Sequence, residues 1–221
     1  MGEETFVGVR MEALRRWLGD TSPGLILDLG GRPSTAAALR DVFPNSRIVV
    51  GNLERNPRAG GWAVLNFDGE AMPIRKGAVD LVFCSEVLEH VQHPDTFLSE
   101  LRRVLRSGGN LFLTTPNMAA WHNRILLPLG YPPANYTAYP HKRLGAPSFI
   151  QWLDAQVHDH PRVFTRAALL EALGLHGLTI VNDSAISYAV PGRPLFRMRR
   201  ALDPLIPKTW KEDLVVWARA G

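Results

Sequence analysis

A chain of 221 residues, 46% hydrophobic and 21% charged, suits one domain of ordinary size with a buried core and excludes a small stapled fold. Its single cysteine, Cys84, excludes an internal disulfide and a zinc site built on thiolates. The opening MGEETFVGVR has no apolar signal core and no apolar run nears the roughly 20 residues of a membrane helix, so a soluble, cytoplasmic protein is expected.

Residues 6–18 place Val7, Met11, Leu14, Trp17 and Leu18 at helical spacing, which predicts an amphipathic helix. After the breaker Thr21-Ser22-Pro23-Gly24, Leu25 to Leu29 reads as a buried strand ending in Gly30-Gly31. An alanine-rich helix over Ser34 to Phe43 stops before Pro44-Asn45, and strands follow at Arg47 to Val50, Trp62 to Phe67 and Val79 to Cys84. A helix with Pro94 in its first turn carries Phe97, Leu98, Leu101, Val104 and Leu105, and Gly108-Gly109 closes it before a strand at Asn110 to Thr115. Residues 117–160 break the rhythm with Trp121, Tyr131, Tyr136, Tyr139, Trp152, several prolines and four of the seven histidines, the composition of a lid or acceptor loop. A helix at Arg166 to Leu175, a strand near Leu178 to Asn182 and an apolar stretch at Asp213 to Ala218 complete a single domain spanning 1–221. Short apolar strands alternating with helices predict an α/β fold: a doubly wound, mostly parallel sheet.

In such a sheet ligands bind beyond the carboxyl ends of the strands, and the residues there carry chemistry. Asp28-Leu29-Gly30-Gly31 combines an acid able to meet a cation with glycines that admit a ligand close to the backbone. Gly51-Asn52-Leu53-Glu54 puts a polar side chain where a ribose diol is usually held, and Asp68-Gly69-Glu70 offers an acid to the amino group of a base. The fourth strand runs into Cys84-Ser85-Glu86-Val87-Leu88-Glu89-His90-Val91.

The segments LILDLGG, FDGEAMP, VDLVFCSEVLEHV, FLSELRRVLRSGGNLFLTTPN and HPRVFT, in this order, resemble the motifs of class I S-adenosylmethionine-dependent methyltransferases. The bacterial group with the ubiquinone and menaquinone biosynthesis enzymes is the most similar. The resemblance implies a seven-stranded Rossmann-like sheet with a terminal antiparallel strand and S-adenosylmethionine as cofactor. It places Asp28, Gly30 and Gly31 at the methionine end of the cofactor, Asn52 on the ribose, Leu53 against the adenine, Asp68 on the adenine amino group, the Gly69 amide at the ring and the Ser85 backbone on the methionine amine. Two positions depart from the family pattern: Arg32 stands where the next glycine is expected, and Asn52 replaces the usual acid.

The activity expected is transfer of a methyl group to a small-molecule acceptor, an O-methylation of a glycan, lipid or natural-product intermediate. A hydroxyl acceptor needs a base. His90 is the catalytic candidate: Glu86, Glu89 and His90 share one face if a helix has begun by Glu86. Similar positions in ubiquinone-type enzymes are associated with a divalent metal, but three residues on one short turn are a thin set for octahedral magnesium, and no metal ligand is assigned. His160 and Arg162 sit where the loop returns to the core.

The net charge of +4 is uneven: residues 1–100 carry 10 Lys and Arg against 14 Asp and Glu, and residues 101–221 carry 15 against 7. The basic, partly apolar stretch 192–211 suits either weak association with an anionic membrane or a plain connection between the last two strands. Two alternatives to the small-molecule methyltransferase reading are a non-catalytic or regulatory member of the fold that binds the cofactor weakly, allowed by Arg32 and Asn52, and a nucleic-acid methyltransferase. The second is disfavoured because Ser85-Glu86-Val87-Leu88 stands where base-modifying relatives carry an Asn/Asp-Pro-Pro-aromatic motif, so no nucleic-acid partner is expected. The oligomeric state is not legible.

Overall fold

The computed structural model describes residues 2–52, 62–64, 71–136, 144–145, 160–187 and 203–221. In chain order the main elements are α1 (Gly2–Leu18), β1 (Leu25–Leu29), α2 (Pro33–Val42), β2 (Arg47–Asn52), β3 (Trp62–Val64), β4 (Val79–Ser85), α3 (Pro94–Val104), β5 (Leu105–Pro116), α4 (Trp121–Leu126), α5 (Arg166–Leu175), β6 (Leu178–Ile186) and β7 (Asp213–Ala220). The strands form one seven-stranded sheet in the order β3-β2-β1-β4-β5-β7-β6. Every pair from β3 to β5 is parallel, while β7 runs antiparallel to both β5 and β6. The predicted doubly wound fold is therefore present, with its antiparallel strand last in the chain and one place in from the sheet edge.

The period-2 alternation of side chains along each strand divides the core between two faces. Val82 and Cys84 of β4, with Leu111 and Leu113 of β5, pack with Phe97, Leu101 and Val104 of α3 and Leu169 and Leu173 of α5. Leu81, Phe83 and Phe112 pack on the opposite face with Met11, Leu14 and Leu18 of α1 and Ala36 and Leu39 of α2. The Phe83 and Phe112 rings stack with centroids 5.3 Å apart. Strands buried on both faces explain why they read as continuous apolar runs. No helix among the described residues is long and apolar enough to cross a membrane.

Three differences from expectation bear on the site and its sheet. β5 begins at Leu105, directly after α3, and the register slips between Val79 and Leu81, so Gly108, at φ 69°, lies in a bulge of the strand and does not close the helix. β6 extends to Ile186 because β7 supplies partners as far as Ile186↔Asp213. The expected helical face of Glu86, Glu89 and His90 does not form: Glu86 adopts a left-handed φ of 55°, and only Leu88–His90 make a short 3-10 turn. Within the expected loop, Trp121–Leu126 is helical and a 3-10 turn follows over Leu127–Leu129. Of the basic stretch, 192–202 lies outside the described residues, and 203–211 carries two 3-10 turns ahead of β7.

Candidate active site

The strand order reverses at β1, so the carboxyl ends of β1, β2 and β4 open on a common crevice. Asp28, in β1, is fully buried, and neither carboxylate oxygen has a hydrogen-bond partner among the described residues. Burial alone holds its carboxyl well above the usual aspartate range. The carboxylate lies over the Cα of Gly31, where any Cβ would overlap it. Gly30 has a φ of 68° and leaves only 2.6 Å between an added Cβ and Val87 Cγ2, so glycine is required on both counts. Its amide donates to the Gly51 carbonyl at 2.8 Å, and Asn52 Nδ2 donates to the Gly31 carbonyl at 3.3 Å. The turn after β1 is thus bound to the end of β2. Arg32 follows in extended conformation as the residue before α2, and Pro33 opens that helix.

A polar chain crosses the ends of β4 and β5. Ser85 Oγ and Thr114 Oγ1 are 2.9 Å apart, Thr114 Oγ1 donates to Glu86 Oε1 at 2.8 Å, and the Glu86 amide donates to the Thr114 carbonyl at 3.0 Å. Arg10 of α1 reaches the same end of the sheet, with Nη2 at 3.2 Å from Glu86 Oε1 and 3.3 Å from Asp213 Oδ2. These bonds account for the left-handed backbone at Glu86: it turns the side chain toward Thr114 and Arg10.

Glu89 is fully buried. Its Oε2 accepts from Thr115 Oγ1 at 3.0 Å, while Oε1 has no hydrogen-bond partner among the described residues. Burial, then the neighbouring Glu86 charge, holds its carboxyl well above the usual range. His90 Nε2 lies 4.0 Å from Glu89 Oε1, with its side chain 48% exposed. The buried His160 ring meets His90 edge-on with centroids 4.7 Å apart, and its Nδ1 donates to the Asn135 carbonyl at 3.0 Å. Ligand atoms of Glu89, His90 and His160 all lie within 4.8 Å of one another.

Three asparagines hold that carbonyl in place. Asn117 Nδ2 donates to the Thr209 and Lys211 carbonyls at 3.1 and 2.8 Å, and its Oδ1 accepts from the Ala119 amide at 2.9 Å. Asn123 donates to Asn135 Oδ1 at 2.8 Å and accepts from the Ala134 amide at 2.8 Å, while Asn135 Nδ2 donates to the Asn117 carbonyl at 3.0 Å. Arg162 closes the arrangement by donating to the Gln92 carbonyl at 3.0 Å from Nε.

Asp28, Gly30, Gly31, Asn52 and Ser85 therefore lie together at the strand ends, as their positions predict, while Leu53, Asp68 and Gly69 lie outside the described residues. Among the described residues that follow, Glu100 accepts from the Met72 amide at 2.8 Å, and Arg103 donates to the Met72 and Ile74 carbonyls. Sequence reasoning left unassigned Thr114 and Thr115, whose only signal was polar residues ending an otherwise apolar strand, and Asn117, Asn123 and Asn135, which follow it without a periodic signal. Of the residues that the resemblance associates with a metal, Glu89 and His90 lie side by side, while Glu86 Oε1 is bonded by Thr114 and Arg10.

The comparisons with known proteins agree with this arrangement. The methyltransferase domain family matches residues 36–113. The ubiquinone biosynthesis O-methyltransferase of Cupriavidus pinatubonensis is 28% identical over 120 residues, covering 54% of this chain and 42% of its own length. The malonyl-[acyl-carrier protein] O-methyltransferase of Methylococcus capsulatus is 32% identical over 125 residues, covering 52% and 43%. The chain thus spans about half the length of the curated relatives it matches. Among solved structures, an S-adenosylmethionine-dependent methyltransferase from Mesorhizobium loti superposes with a TM-score of 0.60 at 20% identity, covering 94% of this chain and 96% of that one. The family model, these relatives and the shared fold bear out the resemblance to the class I S-adenosylmethionine-dependent methyltransferases.

Proposed function

We propose that this protein transfers a methyl group from S-adenosylmethionine to an oxygen of a small-molecule acceptor. The observation that carries the reading is Asp28, a buried carboxylate at the carboxyl end of β1 that lies against a glycine turn and has no partner among the described residues. Burying an ion without compensation is costly, and the ammonium group of a methionine moiety is the compensating charge that such a site is built to receive.

S-adenosylmethionine, when bound, supplies a methyl group already activated by a sulfonium. The chain's own residues bind, orient and exclude water. Asp28 accepts the ammonium, and Gly30 and Gly31 let it approach the backbone. The Ser85 backbone holds the amine from the other side of the crevice, Asn52 and Leu53 meet the ribose and the adenine, and Asp68 and Gly69 bind the adenine edge. His90 takes up the proton of the acceptor hydroxyl. Its ring is half-exposed beyond the carboxyl end of β4, with Nε2 4.0 Å from Glu89 Oε1.

Isothermal titration calorimetry with S-adenosylmethionine and S-adenosylhomocysteine tests the binding half of this reading. Saturable heat with both is the expected result, and no heat with either refutes it. Once an acceptor is in hand, unchanged turnover in His90→Ala removes His90 from its role.

A further inference from the structure

We propose that the turns that follow β5 and those that precede β7 form one docking surface for an anionic phospholipid bilayer. These turns expose Ile125, Leu127, Leu129, Tyr131, Leu205 and Trp210, with Leu129 63% and Leu205 77% accessible. They supply six of the nine large hydrophobic side chains exposed among the described residues, so the apolar surface is concentrated here and not scattered singly as on an ordinary face.

The two segments are distant in the chain and joined in space. Asn117 Nδ2 donates to the Thr209 and Lys211 carbonyls, Trp121 Nε1 donates to Glu212 Oε1 at 2.8 Å, and the Arg124 guanidinium lies 4.8 Å from the centroid of the Trp210 ring. Each turn is already closed. Gly130, at φ 82°, donates its amide to the Leu127 carbonyl at 3.0 Å, the Tyr131 amide donates to the Leu126 carbonyl at 3.0 Å, and the Trp210 amide donates to the Pro207 carbonyl at 2.8 Å. Apolar groups carried on closed turns enter an interface without the entropy cost of ordering a loop.

Charge identifies the occupant. Residues 119–136 contain no Asp or Glu, and 192–211 carry six Lys and Arg against one Asp. Arg124, on α4, and Lys208, in the same turn as Trp210, are exposed. A second copy seated on this patch would set these cations against their own counterparts, whereas a layer of anionic headgroups neutralises them while the leucines and Ile125 enter the acyl boundary. Trp210 and Tyr131 suit that level, since each joins an apolar ring to a polar tip. No helix among the described residues is long and apolar enough to span a bilayer, so the contact is with its surface. Both segments lie at the carboxyl end of β5, the end on which the crevice opens, so docking brings a bilayer-held acceptor to that end of the sheet; this last consequence alone rests on the proposed methyl transfer.

The test is co-sedimentation of the full-length protein with phosphatidylcholine vesicles prepared with and without phosphatidylglycerol. Wild type should partition onto the mixed vesicles, remain largely in the supernatant with phosphatidylcholine alone, and be released as salt is raised. The double variant Leu129→Ser, Leu205→Ser should bind the mixed vesicles at least about 10-fold more weakly, since full burial of a single leucine is worth about that factor or more. Lys208→Glu should lose about 5-fold or more, the worth of one cation near an anionic surface. Both variants change exposed side chains, and unaltered thermal unfolding shows that each is folded. The proposal is overturned if wild type stays in the supernatant with mixed vesicles, if it binds the neutral vesicles equally well, or if the leucine variant binds as wild type does. It is also overturned if sedimentation velocity shows a wild-type dimer that the leucine variant dissociates, because a second copy then covers the patch. Vesicle binding is read without cofactor, so binding by a protein that gives no heat with S-adenosylhomocysteine would keep the docking surface and remove the methyl-transfer reading.

Discussion

Replacing Asp28 with asparagine separates what the site does for folding from what it does for binding. Burial holds the Asp28 carboxyl well above its ordinary range, so the folded protein retains a proton that the unfolded chain releases near pH 3.9. The sign follows from linkage: stability is fully present below the unfolded pKa and is lost as pH rises through the folded pKa. Each pH unit in that window costs about 1.4 kcal/mol, so the loss at pH 7 has an upper limit of about 4 kcal/mol for roughly three units. The substituted asparagine keeps the shape beside Gly31 without the ionisation, although its amide still lacks partners, which costs about 1–3 kcal/mol. Ligand-free Asp28→Asn should therefore match or exceed wild-type stability at pH 7 to 8 and lose that advantage toward pH 4. Its affinity for S-adenosylhomocysteine should fall by about 10-fold or more, the worth of one charge-assisted contact. Urea denaturation across this pH range gives the first quantity, and calorimetry gives the second. Glu89 titrates in both proteins and cancels from the difference. Parallel stability curves, or undiminished affinity, would show that Asp28 is neither strained by burial nor part of the cofactor site.

Other substitutions probe the supports. Gly31→Ala drives a methyl group into the Asp28 carboxylate; a stability loss of about 1–3 kcal/mol with loss of S-adenosylhomocysteine binding is expected, read by thermal denaturation and calorimetry. Asn117→Ala leaves the Thr209 and Lys211 carbonyls and the Ala119 amide without their partner, so destabilisation of about 3 kcal/mol or more should appear in urea unfolding, and a change under about 1 kcal/mol would mean that water replaces the asparagine. Glu100 has its carboxyl held below the usual range, first by the Arg103 hydrogen bond. Its stabilisation is present above the unfolded pKa and lost as pH falls through the folded one, so Glu100→Gln should cost about 1 kcal/mol at pH 7, and the cost should vanish once the pH is below the folded pKa. A gap that persists in acid would refute that assignment.

The architecture was readable from residue types because each strand is short, apolar and bounded by glycine, proline or a polar step, and each helix has a buried stripe. The strand-end residues were readable for a related reason. Asp28, Asn52 and Ser85 interrupt apolar runs at the positions where a parallel sheet opens, and a polar residue there has little packing purpose. Glu86 shows the limit. Its spacing to Glu89 and His90 matches a helix, but the bonds from Thr114, 28 residues on, and from Arg10, 76 residues back, select a left-handed backbone that no local propensity encodes.

The composition and order of the motifs determined by themselves a doubly wound sheet, a glycine turn after β1 and a crevice bordered by acids, because these depend on periodicity and on neighbours in the chain. Tertiary structure alone decided which polar groups became partners. His160 meets Glu89 and His90 only because three linked asparagines return a distant segment to the end of β5. Such contacts depend on loop closure and on satisfying buried donors and acceptors, neither of which leaves a periodic trace in sequence.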